Sequence, residues 1–210
     1  PADGSRFSRS SHTDRTTLNI GARDSPLSRA QFEEFAQEFP HLSMKPVWVK
    51  TPGDLDKITS LRTLGKTDFF TRDLDQMLLE GKIDGALHSA KDLPDPLPQG
   101  IRIAILTEGK DPRDALVLRD GEMIKPGMVI ATSSNSREER VKQMCEGLLF
   151  TDIRGTIGER LQPLYNGKID GVVIAEAALI RLKLTHLNRI FLPGESTPLQ
   201  GRLAMCVADG

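Results

Sequence analysis

Cysteine is scarce in this sequence: Cys145 and Cys206 are the whole complement of 210 residues. They lie far apart with no CxxC or Cys/His ligand spacing, so neither a disulfide framework nor a metal site is expected. Two reduced thiols in or near a core fit a reducing, cytoplasm-like compartment. Aromatics are few as well, and one Trp, one Tyr and eight Phe leave no stacking platform for single-stranded bases. Net charge is almost absent. With 28 Lys+Arg against 29 Asp+Glu, a formal charge of −1 gives no global field toward nucleic acid or an anionic membrane. No run approaches the roughly 18 apolar residues of a membrane span, and the chain reads as soluble. An anionic ligand must therefore meet a local cluster of basic side chains.

What is present is an alternation of short apolar runs with amphipathic stretches. Residues 1–17, rich in Ser, Arg and Thr, have nothing to bury and read as a disordered tail. Their Arg/Ser content leaves organelle targeting open. Residues 18–20 read as a strand, followed by a loop, an N-cap at Ser25 and Pro26 in the first helical turn. Leu27, Ala30, Phe32, Phe35, Ala36 and Phe39 keep helical spacing. Strands are expected at 47–49, 83–87 and 101–106, with a helix at about 72–80 closed by Gly81. This order points to an α/β layer architecture.

One pentapeptide occurs twice. Gly81-Lys82-Ile83-Asp84-Gly85 is repeated as Gly167-Lys168-Ile169-Asp170-Gly171, each copy after a helix-like segment and before an apolar run. The strand expected at 128–131 and the helix carrying Val141, Met144 and Cys145 extend the echo. Two similarly built lobes are the expectation. Their break falls near residues 108–114, giving a tail 1–17, a first domain of 18–107 plus 193–210, and a second of 108–192. If the strand expected at 203–207 returns to the first lobe, two connections join the lobes across a ligand cleft.

Each lobe sends a small-residue loop into a helix N-terminus, Arg23-Asp24-Ser25 in one and Thr132–Ser136 in the other. Free N–H groups and hydroxyls there suit an anion, although capping alone is the simpler reading of either loop. Arg23, Arg137, Arg154 and Arg160 all fall at such junctions, and Arg181 follows the apolar run 175–180. Guanidinium forks hold carboxylates bidentately, so several of them suit a ligand with many carboxylates. Gly155 and Gly158 beside Arg154 permit close backbone approach. His88-Ser89-Ala90-Lys91-Asp92-Leu93-Pro94 lies beyond a strand end, where α/β folds place ligands. An Asp beside a Lys can stay ionised and face a developing cation. Asp92 could equally shape the turn before Pro94, and His88 could be a core histidine. Spacing alone does not choose.

At these residues the sequence resembles the hydroxymethylbilane synthase (porphobilinogen deaminase) family. The resemblance rests on Ile20-Gly21-Ala22-Arg23-Asp24-Ser25-Pro26-Leu27, the His88–Pro94 segment, Pro98-Gln99-Gly100, Asp111-Pro112-Arg113-Asp114-Ala115, Thr132-Ser133-Ser134, Arg154-Gly155 and Gly158-Glu159-Arg160-Leu161. It implies two periplasmic-binding-protein-like (type II) α/β lobes around a central cleft. It implies a transferase joining four porphobilinogen units with loss of ammonia, in tetrapyrrole (heme) biosynthesis, on a dipyrromethane cofactor held by a cysteine. Asp92 then matches the catalytic aspartate. Arg23, Lys91, Arg137, Arg154, Arg160 and Arg181 match positions that hold acetates and propionates, with Gly155 allowing approach. Ser25, Thr132, Ser133 and Ser134 match hydroxyl donors around the same groups. Porphobilinogen and linear pyrrole oligomers are the expected partners of a monomeric cytoplasmic protein, without nucleic acid or membrane.

The sequence also departs from the family pattern. The third domain, whose loop carries the cofactor cysteine, is expected to be absent, and neither Cys145 nor Cys206 matches the anchor. Ser136-Arg137 replaces a pair of arginines, Gly201-Arg202-Leu203 replaces Gly-Gln-Gly, and Gly65-Lys66-Thr67-Asp68 is altered. A non-catalytic homologue that binds porphobilinogen or another polycarboxylate is the alternative.

Overall fold

The computed structural model describes residues 16–64 and 68–210. Most of the expected tail, and Gly65-Lys66-Thr67 of the altered segment, lie outside the described residues. Among the described residues, ten strands form two five-stranded mixed sheets. The first contains β1 (Leu18–Arg23), β2 (Met44–Val49), β3 (Gly85–Ser89), β4 (Ile101–Leu106) and β10 (Leu203–Ala208), in the order β2-β1-β3-β10-β4. The second contains β5 (Asp114–Leu118), β6 (Val129–Ala131), β7 (Leu149–Thr151), β8 (Gly171–Ala175) and β9 (Arg189–Phe191), in the order β7-β6-β8-β5-β9.

The two sheets share one pattern. β1 lies parallel to β2 and β3, just as β6 lies parallel to β7 and β8. An antiparallel strand then flanks the third member of each set: β10 beside β3, and β5 beside β8. Each is reached by a chain crossing between the sheets. The two crossings lie backbone against backbone, with Lys110 N–H donating to Gly201 O at 2.9 Å. Gly109 (φ +85°) and Gly201 (φ +86°) permit this, since a Cβ on either would sit 2.5 Å from a carbonyl oxygen of the other crossing. Arg202, at a departure from the family pattern, donates to Thr107 O at 2.6 Å and so fastens the same junction.

Helices cover both sheets. Α1 (Pro26–Glu38) begins at Ser25, whose side chain accepts from Ser28 N–H, and buries Phe32 and Phe35 against the first sheet. Α4 (Arg72–Leu79) buries Leu74 and Leu78 on the other face. Between β2 and α4 lie two short turns, α2 (Pro52–Leu55) and α3 (Leu61–Leu64). Α5 (Asn135–Lys142), α6 (Ile157–Tyr165) and α7 (Glu176–Arg181) serve the second sheet. Α5 ends before Met144 and Cys145, so the helix is shorter than its apolar spacing suggests.

The repeated pentapeptide performs the same task in both sheets. Gly81 and Gly167 take left-handed φ values of +70° and +79° and close the preceding helix. Ile83 and Ile169 are buried. Asp84 accepts from Asn19 N–H at 2.7 Å and Asp170 from Val129 N–H at 2.8 Å, so each carboxylate clamps the start of a central strand. Gly85 and Gly171 leave room that side chains fill: an added Cβ would meet Met205 Sδ at 2.7 Å or Ile130 Cδ1 at 2.8 Å. The strand expected from residue 83 therefore starts at Gly85, because Lys82-Ile83-Asp84 is the turn that aims it.

Candidate functional site

A cavity of about 330 Å³ opens between the sheets. Its wall is built from strand ends and helix starts, where side chains leave the sheets toward each other. Arg23 closes β1, Ser25 caps α1, Lys91 and Asp92 form the 3-10 turn after β3, Arg154 and Gly155 precede α6, and Arg160 lies within it. Arg137 from the first turn of α5 and Arg181 from the end of α7 complete the expected set. Nine of the expected site residues thus share one space.

Thr132, Ser133 and Ser134, expected beside a ligand, lie outside that lining and are engaged with neighbouring backbone. Ser133 Oγ donates to Ile153 O at 2.6 Å and accepts from Ile153 N–H at 2.9 Å. Ser134 caps α5 by accepting from Arg137 N–H at 3.2 Å, and Thr132 Oγ1 accepts from Ser134 N–H at 3.3 Å. These hydroxyls hold β6 to the residues after β7 and start a helix. Capping, the simpler reading of that loop, is what they do.

The wall is strongly cationic. Burial, with Arg137 nearby, pushes the Lys91 ammonium down to about 8. Burial, with Arg137, Arg154 and Arg23 nearby, pushes Arg160 down to about 10. Crowded like charges raise one another's free energy, and an anion placed among them relieves it. Several forks meanwhile hold protein groups. Arg23 is paired with Asp54 and lies over the Phe70 ring at 4.3 Å. Burial pushes the Asp54 carboxyl upward, but Arg23 and the Thr51 hydrogen bonds outweigh it and hold the group below its ordinary range. Arg154 donates to the carbonyls of Gly53, Asp56 and Thr59. Arg181 reaches Glu34 of α1 at 3.0 Å and Gly201 O at 2.7 Å, tying the sheets together. Asp92 differs from all of these: its carboxylate makes no hydrogen bond or ion pair with any of the described residues, and it forms part of the wall.

Other residues that no sequence motif marks as functional hold the wall in place. Asp114, wholly buried, holds Arg137 at 2.7 Å and Arg140 at 2.6 Å. Gln200 donates to Asp114 at 2.9 Å and accepts from Lys91 at 3.3 Å. The segment between β2 and α4 crosses to the second sheet, with Lys57 on Glu159 at 2.7 Å and Arg62 on Glu138 at 2.8 Å. No periodic signal marks these contacts; only the Asp111–Ala115 motif touched one of them.

The cations suit the carboxylates of a dipyrromethane, but neither thiol suits its covalent attachment. Cys206 is buried in β10 within the core, and Cys145 Sγ lies beside Glu146 O outside the cavity wall.

Comparison with known proteins gives these features a setting. The family model described as "Porphobilinogen deaminase, dipyromethane cofactor binding domain" matches residues 18–209. A porphobilinogen deaminase of Caldicellulosiruptor saccharolyticus is 40% identical over 90% of this chain and 68% of its own length. A probable porphobilinogen deaminase of Chlamydia muridarum is 38% identical over 90% of this chain and 80% of its own. For the Thermus thermophilus porphobilinogen deaminase the figures are 36%, 91% and 65%. The chain thus spans about two thirds to four fifths of these relatives. Among solved structures, a probable amino-acid ABC transporter extracellular-binding protein of Bacillus subtilis (12% identity, TM-score 0.54) is matched over 92% of this chain and 84% of its own. Lipoprotein Tp32 of Treponema pallidum (13% identity, TM-score 0.54) is matched over the same shares. At such identity these structures speak for the fold, that of two periplasmic-binding-protein-like type II lobes. With the matched model spanning nearly all the described residues, the chain belongs to the porphobilinogen deaminase family.

Proposed function

We propose that the cavity binds porphobilinogen and linear pyrrole oligomers, and that the protein takes part in tetrapyrrole biosynthesis as a transferase releasing ammonia at each addition. The observation that carries this reading is Asp92, a carboxylate with no hydrogen bond or ion pair among the described residues, in a cavity whose wall also carries Arg23, Lys91, Arg137, Arg154, Arg160 and Arg181. Lys91, Arg137, Arg160 and the fork of Arg154 would hold acetates and propionates, including those of a dipyrromethane. That group, when bound, supplies the acidic pyrrole primer.

The substrate's aminomethyl nitrogen, an ammonium at neutral pH, departs with the C–N bonding pair as ammonia. The carbon left behind shares its positive charge with the pyrrole ring. Asp92 faces that charge and accepts from the ring N–H, and as a fixed anion in a confined site it needs no reorganisation to do so. Ser25, once its hydroxyl turns from Ser28 Oγ, and the N-terminus of α1 would add donors for a carboxylate. The division into 18–107 with 193–210 and 108–192 is part of the proposal, supported by the membership of the two sheets, with residues 1–17 outside both.

The test follows ammonia release from porphobilinogen by the purified chain, with binding measured by calorimetry and intact mass taken before and after acid. Turnover that Asp92→Ala lowers by about 10²-fold or more, with binding retained, supports the reading. Binding without ammonia release would make the protein a binding homologue, and absence of binding would overturn both.

A further inference from the structure

A much smaller recess, of about 10 Å³, adjoins the large cavity beside Asp92 and His88. That is the room of a single water molecule. Arg23, Ser28, Gln31, Phe70, Ser89 and Asp92 line both this recess and the large cavity, and Leu87 and His88 line the recess alone. His88 is 4% exposed, and its Nε2 is buried with no partner among the described residues. Backbone hydrogen bonds explain the place of the ring but not its polarity: β3 and β10 pair through His88 and Ala204, which any residue would allow. An apolar side chain would fill that place without an unmet nitrogen.

The neighbours supply what a water needs. Gln31 Nε2 donates to Ser89 Oγ at 2.9 Å, which places a polar pair in this wall, and Ser28 Oγ accepts from Ser25 Oγ at 3.0 Å, leaving its own hydrogen to give. Ionised Asp92 can only accept, whereas a neutral imidazole offers one donor and one acceptor. A water donating to the carboxylate can accept from the ring or donate a second time to it. His88 stays neutral for this role, since burial and Arg23 oppose its protonation more than Asp92 favours it.

We propose that this pocket holds one ordered water linking the His88 imidazole to the Asp92 carboxylate, which makes His88 the positioning residue of that aspartate. The link fixes the carboxylate through one oxygen and leaves the other free to act in the large cavity. Its effect on turnover rests on the function proposed above; the water itself does not.

The experiment pairs crystal structures of the full chain, refined far enough to show waters, with porphobilinogen kinetics for wild type, His88→Leu and His88→Gln. The expected wild-type structure has density for one water within hydrogen-bond distance of both side chains. His88→Leu should lose it, turn the Asp92 carboxylate and lower kcat about tenfold while KM stays within about twofold. His88→Gln, which keeps a polar atom at the ring's end, should recover most of the rate. An empty wild-type pocket overturns the proposal, even if His88→Leu fails to fold. So does an unmoved carboxylate in His88→Leu, or equal rate losses in the two variants. If wild type turns over no porphobilinogen, the water and the variant's altered carboxylate still support the link while the functional reading alone fails.

Discussion

Asp114→Asn tests how the cationic wall is held. Asp114 is completely buried at the start of β5, with one oxygen 2.7 Å from Arg137 and the other 2.6 Å from Arg140. Gln200 donates to it at 2.9 Å, and Arg140 also donates to Pro193 O at 2.7 Å. The asparagine has nearly the same shape, so no cavity forms. What changes is charge: two poorly exposed guanidinium groups lose the anion between them. Breaking a buried pair by removing one partner costs about 3–5 kcal/mol, chiefly because the charge left behind stays out of water. In a chain of this size that lowers Tm by about 6–20 °C. Thermal unfolding followed by circular dichroism at pH 7, with urea midpoints at 25 °C, measures it. The pH dependence gives a second check. Burial raises the Asp114 carboxyl, but Arg137, Gln200 and Arg140 together bring it below its ordinary value. The carboxylate's contribution is therefore complete above the unfolded pKa of about 3.9 and is lost as pH falls through the folded value. The gap between wild type and variant should stay constant from pH 7 to about 4 and shrink below that. A loss under about 1 kcal/mol at pH 7, the size of an exposed pair, would refute the reasoning.

Gly171→Ala forces a methyl against Ile130 and Leu116 and should cost about 1–3 kcal/mol in urea unfolding. Asp170→Ala removes both the clamp on Val129 N–H and the Arg119 pair at 2.9 Å, a loss of about 1.5–3 kcal/mol. Asp84→Ala, whose bond to Asn19 is exposed, should lose less; equal losses measured by denaturation would contradict the pairing of burial with strength. His88, buried and pushed down to about 4, binds its proton more readily when unfolded. Stability should therefore fall by about 3 kcal/mol as pH drops from 6.5 to 4, and His88→Gln should flatten that part of the urea-midpoint profile.

Much of the fold was legible because its central pieces are locally written. The strand expected at 18–20 is there and runs on through the expected loop to Arg23, Gly171–Ala175 is an apolar run after a turn, and α1 shows its apolar face at helical spacing. The repeated pentapeptide was legible for a stronger reason, since four of its five residues answer separate physical demands: a left-handed closure, a buried aliphatic, a carboxylate clamp and a missing Cβ. Asp114–Leu118 gives no such signal. It is buried throughout like Gly171–Ala175, but it opens on a charged residue directly after the charged connector, so nothing in the sequence marks its start. Strands β7 and β9 are three residues each, too short for a period to register.

The site divides along the same line. A residue type announces what it can bind, but only the folded neighbours decide whether it is free to do so. Arg23, Arg154 and Arg181 reach the cavity as expected, yet Asp54, three loop carbonyls and Glu34 engage them. Each competing partner is distant in sequence, 31 to 147 positions away, and beyond any motif. Ligand carboxylates must therefore displace weaker carbonyl acceptors at Arg154, where an ionised oxygen forms the stronger bond, more readily than they displace Asp54 from Arg23. On the proposed function, Arg154 is accordingly the fork that a ligand carboxylate takes over, at the expense of its bonds to the carbonyls of Gly53, Asp56 and Thr59.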